Sequence, residues 1–160
     1  MKIVSLGRGC GTILASFAFA SCALIVFVAP MSAALGGDIS SVQQDGARMK
    51  GTVRMTQKQA FSVHEIQGSA GMVVREYASP EGKVFGLAWQ GSGHPDMSQL
   101  LGTYFGQYER AIQNKRIGRG PILVQQSGLV VQTGGHARWF TGKAYVPSMV
   151  PGGVTQDQIK

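Results

Sequence analysis

Three histidines, His64, His94 and His136, and a sparse set of carboxylates are the side chains best suited to proton transfer or metal ligation. Histidine changes charge near neutral pH and is the commonest metal ligand. A pair of histidines four apart on one helix, with a glutamate beside the first, would point to metal-assisted hydrolysis. Here no two histidines share that spacing, so no metal pair forms locally. His64 and Glu65 are neighbours, but successive residues of a strand face opposite ways, so they cannot act together locally. His94 precedes a helix start and His136 flanks a glycine pair. All three are expected to make ordinary hydrogen bonds, and remain weak candidates for a site that only folding could assemble. Glu65, Glu76 and Glu81 are candidate acids, although Glu76 adjoins Arg75, Glu81 lies in a turn sequence, and Asp96 reads as a helix cap.

Nucleophile and cofactor motifs are missing. Gly91-Ser92-Gly93 lacks the two variable positions that flank the serine of a nucleophile elbow. The string Gly7-Arg8-Gly9-Cys10-Gly11 imitates a dinucleotide loop, but Thr12 stands at the third glycine position and the following stretch is wholly apolar. The aromatic set Trp89, Tyr104, Tyr108, Trp139 and Tyr145 reads as core rather than as a sugar platform. The expectation is a protein with no catalytic residues, no cofactor and no metal. The alternative is an enzyme of unrecognised type with a histidine and carboxylate site.

The elements that must position these residues are legible in the periodicity. Asp38 to Met49 has loose helical spacing, and Gly51 to Ala60 reads as irregular. Strand patterns occupy 61–66, 72–77 and 83–90, separated by Gly68-Ser-Ala-Gly71 and Ser79-Pro80-Glu81-Gly82, whose turn chemistry implies an antiparallel meander. In the third strand Phe85, Leu87 and Trp89 form one face, and Val84, Gly86 and Ala88 a small apolar one. Such a strand is expected to be central and covered on both sides, with close packing or a small-ligand groove beneath its small face. An amphipathic helix over 97–113 follows, opened by Asp96 with Gln99 in capping-box position. Further strands fall at 121–126, 129–133 and 136–146, with Gly134-Gly135 as a hairpin turn. The fold class is α+β: an antiparallel sheet packed by one amphipathic helix. Residues 35–147 form the domain, and 148–160 read as an exposed C-terminal tail.

Gly102 and Gly106 lie four apart on the side of that helix away from its apolar stripe. Each costs about 1 kcal/mol relative to alanine in a helix interior. They are either tolerated surface glycines or a smooth notch for a loop or partner chain, a possible interaction surface.

The N-terminus has its own grammar. Lys2 and Arg8 precede an uncharged apolar run from Ile13 to Ala29, Pro30 breaks it, and Ser32-Ala33-Ala34 supplies small residues. This is the tripartite pattern of a secretory signal over 1–34, cleaved after Ala34 or, less in keeping with its length, retained as an anchor. General secretory export to the periplasm or beyond follows, with membrane contact only through the signal. Both cysteines, Cys10 and Cys22, fall within it. The remaining 126 residues suffice for one domain, without disulfide or thiol chemistry. Removal takes two of the 15 lysines and arginines and none of the 8 acids, leaving a net charge of +5. That favours an anionic envelope component or protein partner; nucleic acid is not expected in this compartment. Lys115-Arg116-x-x-Arg119 is the only tight basic group and reads as a solvated loop.

Several strings together carry a resemblance: Ala34-Leu-Gly-Gly37, Val42-x-x-Asp45, Phe61-x-Val-His-Glu65, Val74-Arg-Glu-Tyr77, Val84-Phe85 through Trp89-x-Gly91 to Pro95-Asp96, Leu100-Leu-Gly-x-Tyr-Phe105, Gly134-Gly-His, Phe140-x-Gly142, Ala144-Tyr145 and Pro147. In these the chain resembles a family of short exported proteobacterial proteins classed as a domain of unknown function. The resemblance implies an exported, whole-chain domain and brings no activity or site residues.

Overall fold

The computed structural model describes residues 35–68, 71–113, 121–126 and 128–160. Residues 1–34, which read as a secretory signal, and the Lys115–Arg119 cluster lie outside them. Seven strands form one antiparallel sheet: β1 (Thr52–Gln57), β2 (Ser62–Gln67), β3 (Val73–Ala78), β4 (Val84–Gly91), β5 (Ile122–Gln126), β6 (Leu129–His136) and β7 (Trp139–Tyr145). Their order is β1-β2-β3-β4-β7-β6-β5, two meanders joined where β4 pairs with β7. The α+β antiparallel expectation holds, with one strand more than the periodicity suggested. β1 occupies the stretch expected to be irregular. Five of its six residues are exposed, so no apolar alternation marks it, and it is held by ladder bonds to β2 at the sheet edge.

Three helices lie on one face: α1 (Val42–Arg48), α2 (Met97–Leu101) and α3 (Phe105–Gln113). The main core fills the space beneath them, with Ile66, Val74, Leu87, Trp89, Val124, Val131 and Ala144 rising from the sheet to meet Val42, Leu100, Leu101 and Tyr108. The single helix expected over 97–113 is broken. Gly102 has φ +50° and ψ −120°, ends α2, and a 3-10 turn over Gly102–Tyr104 leads into α3. Only glycine enters that region without strain, so the residue that looked like a surface notch is a joint. Asp96 caps α2 as expected, accepting from the Ser98 and Gln99 amides at 2.9 and 3.3 Å. The Gln99 side chain does not complete a capping box; it donates to Asp45 Oδ1 at 2.9 Å.

Two further corrections concern strand phase. Between Tyr77/Gly86 and Ala78/Val84 the β3–β4 register shifts, leaving Phe85 as the extra residue of a bulge. Val84, Leu87 and Trp89 therefore face the helices, whereas Phe85 and Ala88 join the opposite cluster. Uniform alternation had put Phe85 with Leu87. The β6–β7 turn is not Gly134-Gly135 either. Both glycines stay in β6, and Ala137-Arg138 make the turn, Arg138 at φ +69°.

The face away from the helices is partly covered by the C-terminal segment, correcting the expectation of a free, exposed tail. Most residues of 148–160 do touch solvent, but Ile159 is fully buried with Phe61, Tyr77, Phe85, Ala88, Val130 and Tyr145. The Tyr77 hydroxyl donates to Lys160 O at 2.6 Å and accepts from Lys160 N at 3.0 Å. A capping box between Thr155 and Gln158 shapes the last turn. Tail residues thus supply the second layer that a two-faced apolar sheet requires. Gly86 leaves the room: a Cβ there would meet Ile159 Cδ1 at 3.1 Å. The small face of β4 is closely packed at Gly86, while Ala88 further along it lines an open groove. Among the described residues no helix is long and apolar enough to cross a membrane.

Candidate functional site

The three histidines part company. His64 is buried in β2, opposite Glu76 of β3, with its Nε2 3.1 Å from Ser62 Oγ. Burial lowers its pKa, favouring neutral imidazole. Glu76 is fully buried, and neither carboxyl oxygen has a hydrogen-bond partner. Its pKa is pushed up to about 9, by burial first and by the charge of Asp45 second. Asp45, also buried, descends from α1, held by Gln99 and by Arg48 at 3.8 Å. Folding thus sets a histidine opposite a carboxylate, away from Arg75, which faces the other side of the sheet. Both residues are shut off from solvent. Sequence reasoning missed the depth of Glu76 because it weighed Arg75 beside it in the chain. The available signal was the period-two face Val74, Glu76, Ala78, an acid between apolar residues.

His94 and His136 are brought together along one cavity of about 470 Å³ at the end of the sheet, whose walls include Trp89, Tyr108 and Phe140. The His94 ring stacks on Phe140, centroids 3.7 Å apart and tilted by 39°. Trp89 lies over β7 where Gly142 has no side chain; a Cβ there would collide with the indole. Among the described residues no three of His, Cys, Asp and Glu are grouped to hold a metal. Gly106, unlike Gly102, sits in α3 with open space around it, so the two glycines do not share one role.

The opposite face also carries charged residues. A row runs across the sheet in register: Arg54, Glu65, Arg75, Ala88, Lys143, Gln132 and Leu123. Ala88 makes a gap in this row between two cations, and over it opens a groove of about 550 Å³ bounded by Arg75, Lys143, Lys160, Ile122, Leu123 and Ile159. No Asp or Glu side chain lines it among the described residues. A second, wider groove beyond the C-terminal segment shares Arg75, Gln90 and Lys160 and adds Lys58, Phe61 and Asp157. The cations are held in place. Arg75 Nε donates to Glu65 Oε2 at 2.8 Å and its Nη1 to Lys160 O at 3.4 Å; Lys143 Nζ donates to Gln156 O at 2.9 Å. Preset charges beside apolar walls suit a ligand with an anionic head and an apolar stem. Sequence reasoning missed these residues as a set, since Arg75 and Lys143 meet only through the β4–β7 pairing.

No curated protein and no solved structure matches the chain. Residues 31–159 match the family model described as "Protein of unknown function (DUF2844)". With nearly the whole described fold inside that match, the chain belongs to the DUF2844 family.

Proposed function

We propose that this protein is an exported, non-enzymatic binding module of the cell envelope, and that the groove over Ala88 takes a ligand with an anionic group on an apolar stem. The observation that carries the reading is the groove itself: Arg75, Lys143 and Lys160 line it beside Ile122, Leu123 and Ile159, with no Asp or Glu side chain among its described lining residues. Its volume falls within the ~300–1,000 Å³ usual for small-molecule sites. The excess of basic residues and the signal-like N-terminus support an envelope setting, where anionic lipid headgroups and phosphorylated glycans are available. The enzyme alternative draws on His64 opposite Glu76, but a site needs a path for substrate, and both side chains are buried.

The test compares three probes by calorimetry at low salt: dihexanoyl phosphatidylglycerol, dihexanoyl phosphatidylcholine and inorganic phosphate. Phosphatidylglycerol is expected to bind, phosphatidylcholine at least about tenfold more weakly, and raised salt to weaken binding, as charge recognition requires. Binding of phosphate alone with equal strength would point to a free anion rather than a lipid headgroup. Equal binding of both lipids, or of no probe, would contradict the reading.

A further inference from the structure

We propose that Met49, Met72 and His94 form a binding site for a soft monovalent cation, copper(I) or silver(I), at the end of the helical face. The three residues line one cavity of about 300 Å³, together with Val74, Gln99 and Leu100. β3 starts just after Met72, and Gly91 beside it is paired with Phe140 of β7. A Cβ on Gly91 would meet Met72 Cα at 2.8 Å and its Sδ at 3.2 Å, so the glycine leaves the thioether room in the cavity. On the other side of Gly91, Phe140 carries the stacked His94 ring. Met49 approaches from the end of α1, its methyl lying 3.4 Å from where a Cβ of Gly68 would be. Two thioether side chains and an imidazole therefore belong to the wall of one cavity.

The donor chemistry selects the ion. Thioether sulfur is a soft, uncharged ligand suited to copper(I), and neutral imidazole completes such a set. The one carboxylate in the cavity wall, Asp96, is committed to capping α2 through the Ser98 and Gln99 amides. A hard divalent ion, which needs oxygen ligands, gains little here. His94 is exposed, which gives an ion a way in.

The experiment uses the full chain carrying C10S and C22S, so that no thiol competes, with methionine methyls labelled with carbon-13. Silver(I) serves as probe because it does not change oxidation state. The expected result is one equivalent bound, with the Met49 and Met72 methyl signals and the His94 ring moving while the other five methionines stay. M49L with M72L, a nearly volume-conserving change that leaves the core filled, is expected to lower affinity about 100-fold at an unchanged melting temperature. H94Q is expected to lower it about tenfold, and zinc(II) to move none of these signals. Silver bound without movement of Met49 and Met72, or with unchanged affinity in the double variant, would overturn the site, as would no binding at all.

Discussion

Glu76 stands directly opposite His64 across β2 and β3, and both are buried beneath α1 without forming an ion pair in the structure. A carboxyl in that position is stable only when protonated. Asp45 above it strengthens the demand, because two buried carboxylates cannot both ionise cheaply.

The consequence is a stability that depends on pH. The folded pKa of Glu76 is raised to about 9 from an ordinary value of 4.5. Its favourable contribution is therefore full below the ordinary value and is lost as pH rises through the folded one. Across that window unfolding releases a proton, and stability falls by up to about 1.4 kcal/mol per pH unit. His64, whose pKa is lowered, works the other way only below its ordinary 6.5, so pH 7 to 8.5 isolates Glu76. Urea unfolding over that range should show the decline, and Glu76→Gln should flatten it and be the more stable form at pH 8.5. Equal slopes in both proteins would refute the assignment.

Gly102 and Gly106 should respond in opposite senses to the same change. Gly102→Ala forces a side chain into φ +50° and should cost about 1–2 kcal/mol. Gly106→Ala lies in a helix with open space around it and should stabilise by about 0.5–1 kcal/mol. Denaturant midpoints of the two variants decide this.

The C-terminal segment should behave as part of the core. Ile159→Ala removes a fully buried side chain against Gly86 and should cost about 2–4 kcal/mol. Tyr77→Phe removes the hydroxyl that holds Lys160 on both sides and should cost about 1 kcal/mol. A free tail would make Ile159→Ala silent in chemical unfolding.

How much of this was legible beforehand follows from the kind of signal each feature leaves. The sheet-and-helix class and the Asp96 cap are local patterns, and Asp96 stands where its sequence put it. β1 was missed because its residues are exposed and give no apolar alternation. The bulge at Phe85 was missed because a phase change in a strand has no marker of its own when both faces are apolar. The tail was misread because one isoleucine, Ile159, anchors a segment otherwise polar and rich in glycine. At the candidate sites, Arg75 and Lys143 are separated by 68 positions, and Met72 and His94 come to one cavity wall through the pairing of Gly91 with Phe140. Those meetings are products of pairing order, which composition does not encode.

Export makes a prediction independent of the fold. Intact mass of the protein recovered from the envelope or periplasmic fraction should correspond to a chain starting at Leu35. A mass that includes residues 1–34 would favour the anchor, and recovery in the cytosol would remove the envelope setting.

The most direct test of the proposed role is a chemical-shift titration of the methyl groups with dihexanoyl phosphatidylglycerol. Binding in the groove predicts movement confined to Ala88, Ile122, Leu123, Thr133, Thr141 and Ile159, and its loss in Arg75→Gln with Lys143→Gln, whose methyl signals away from the groove stay in place and show the fold intact. Movement elsewhere on the molecule, or an undiminished response in that double variant, would contradict it.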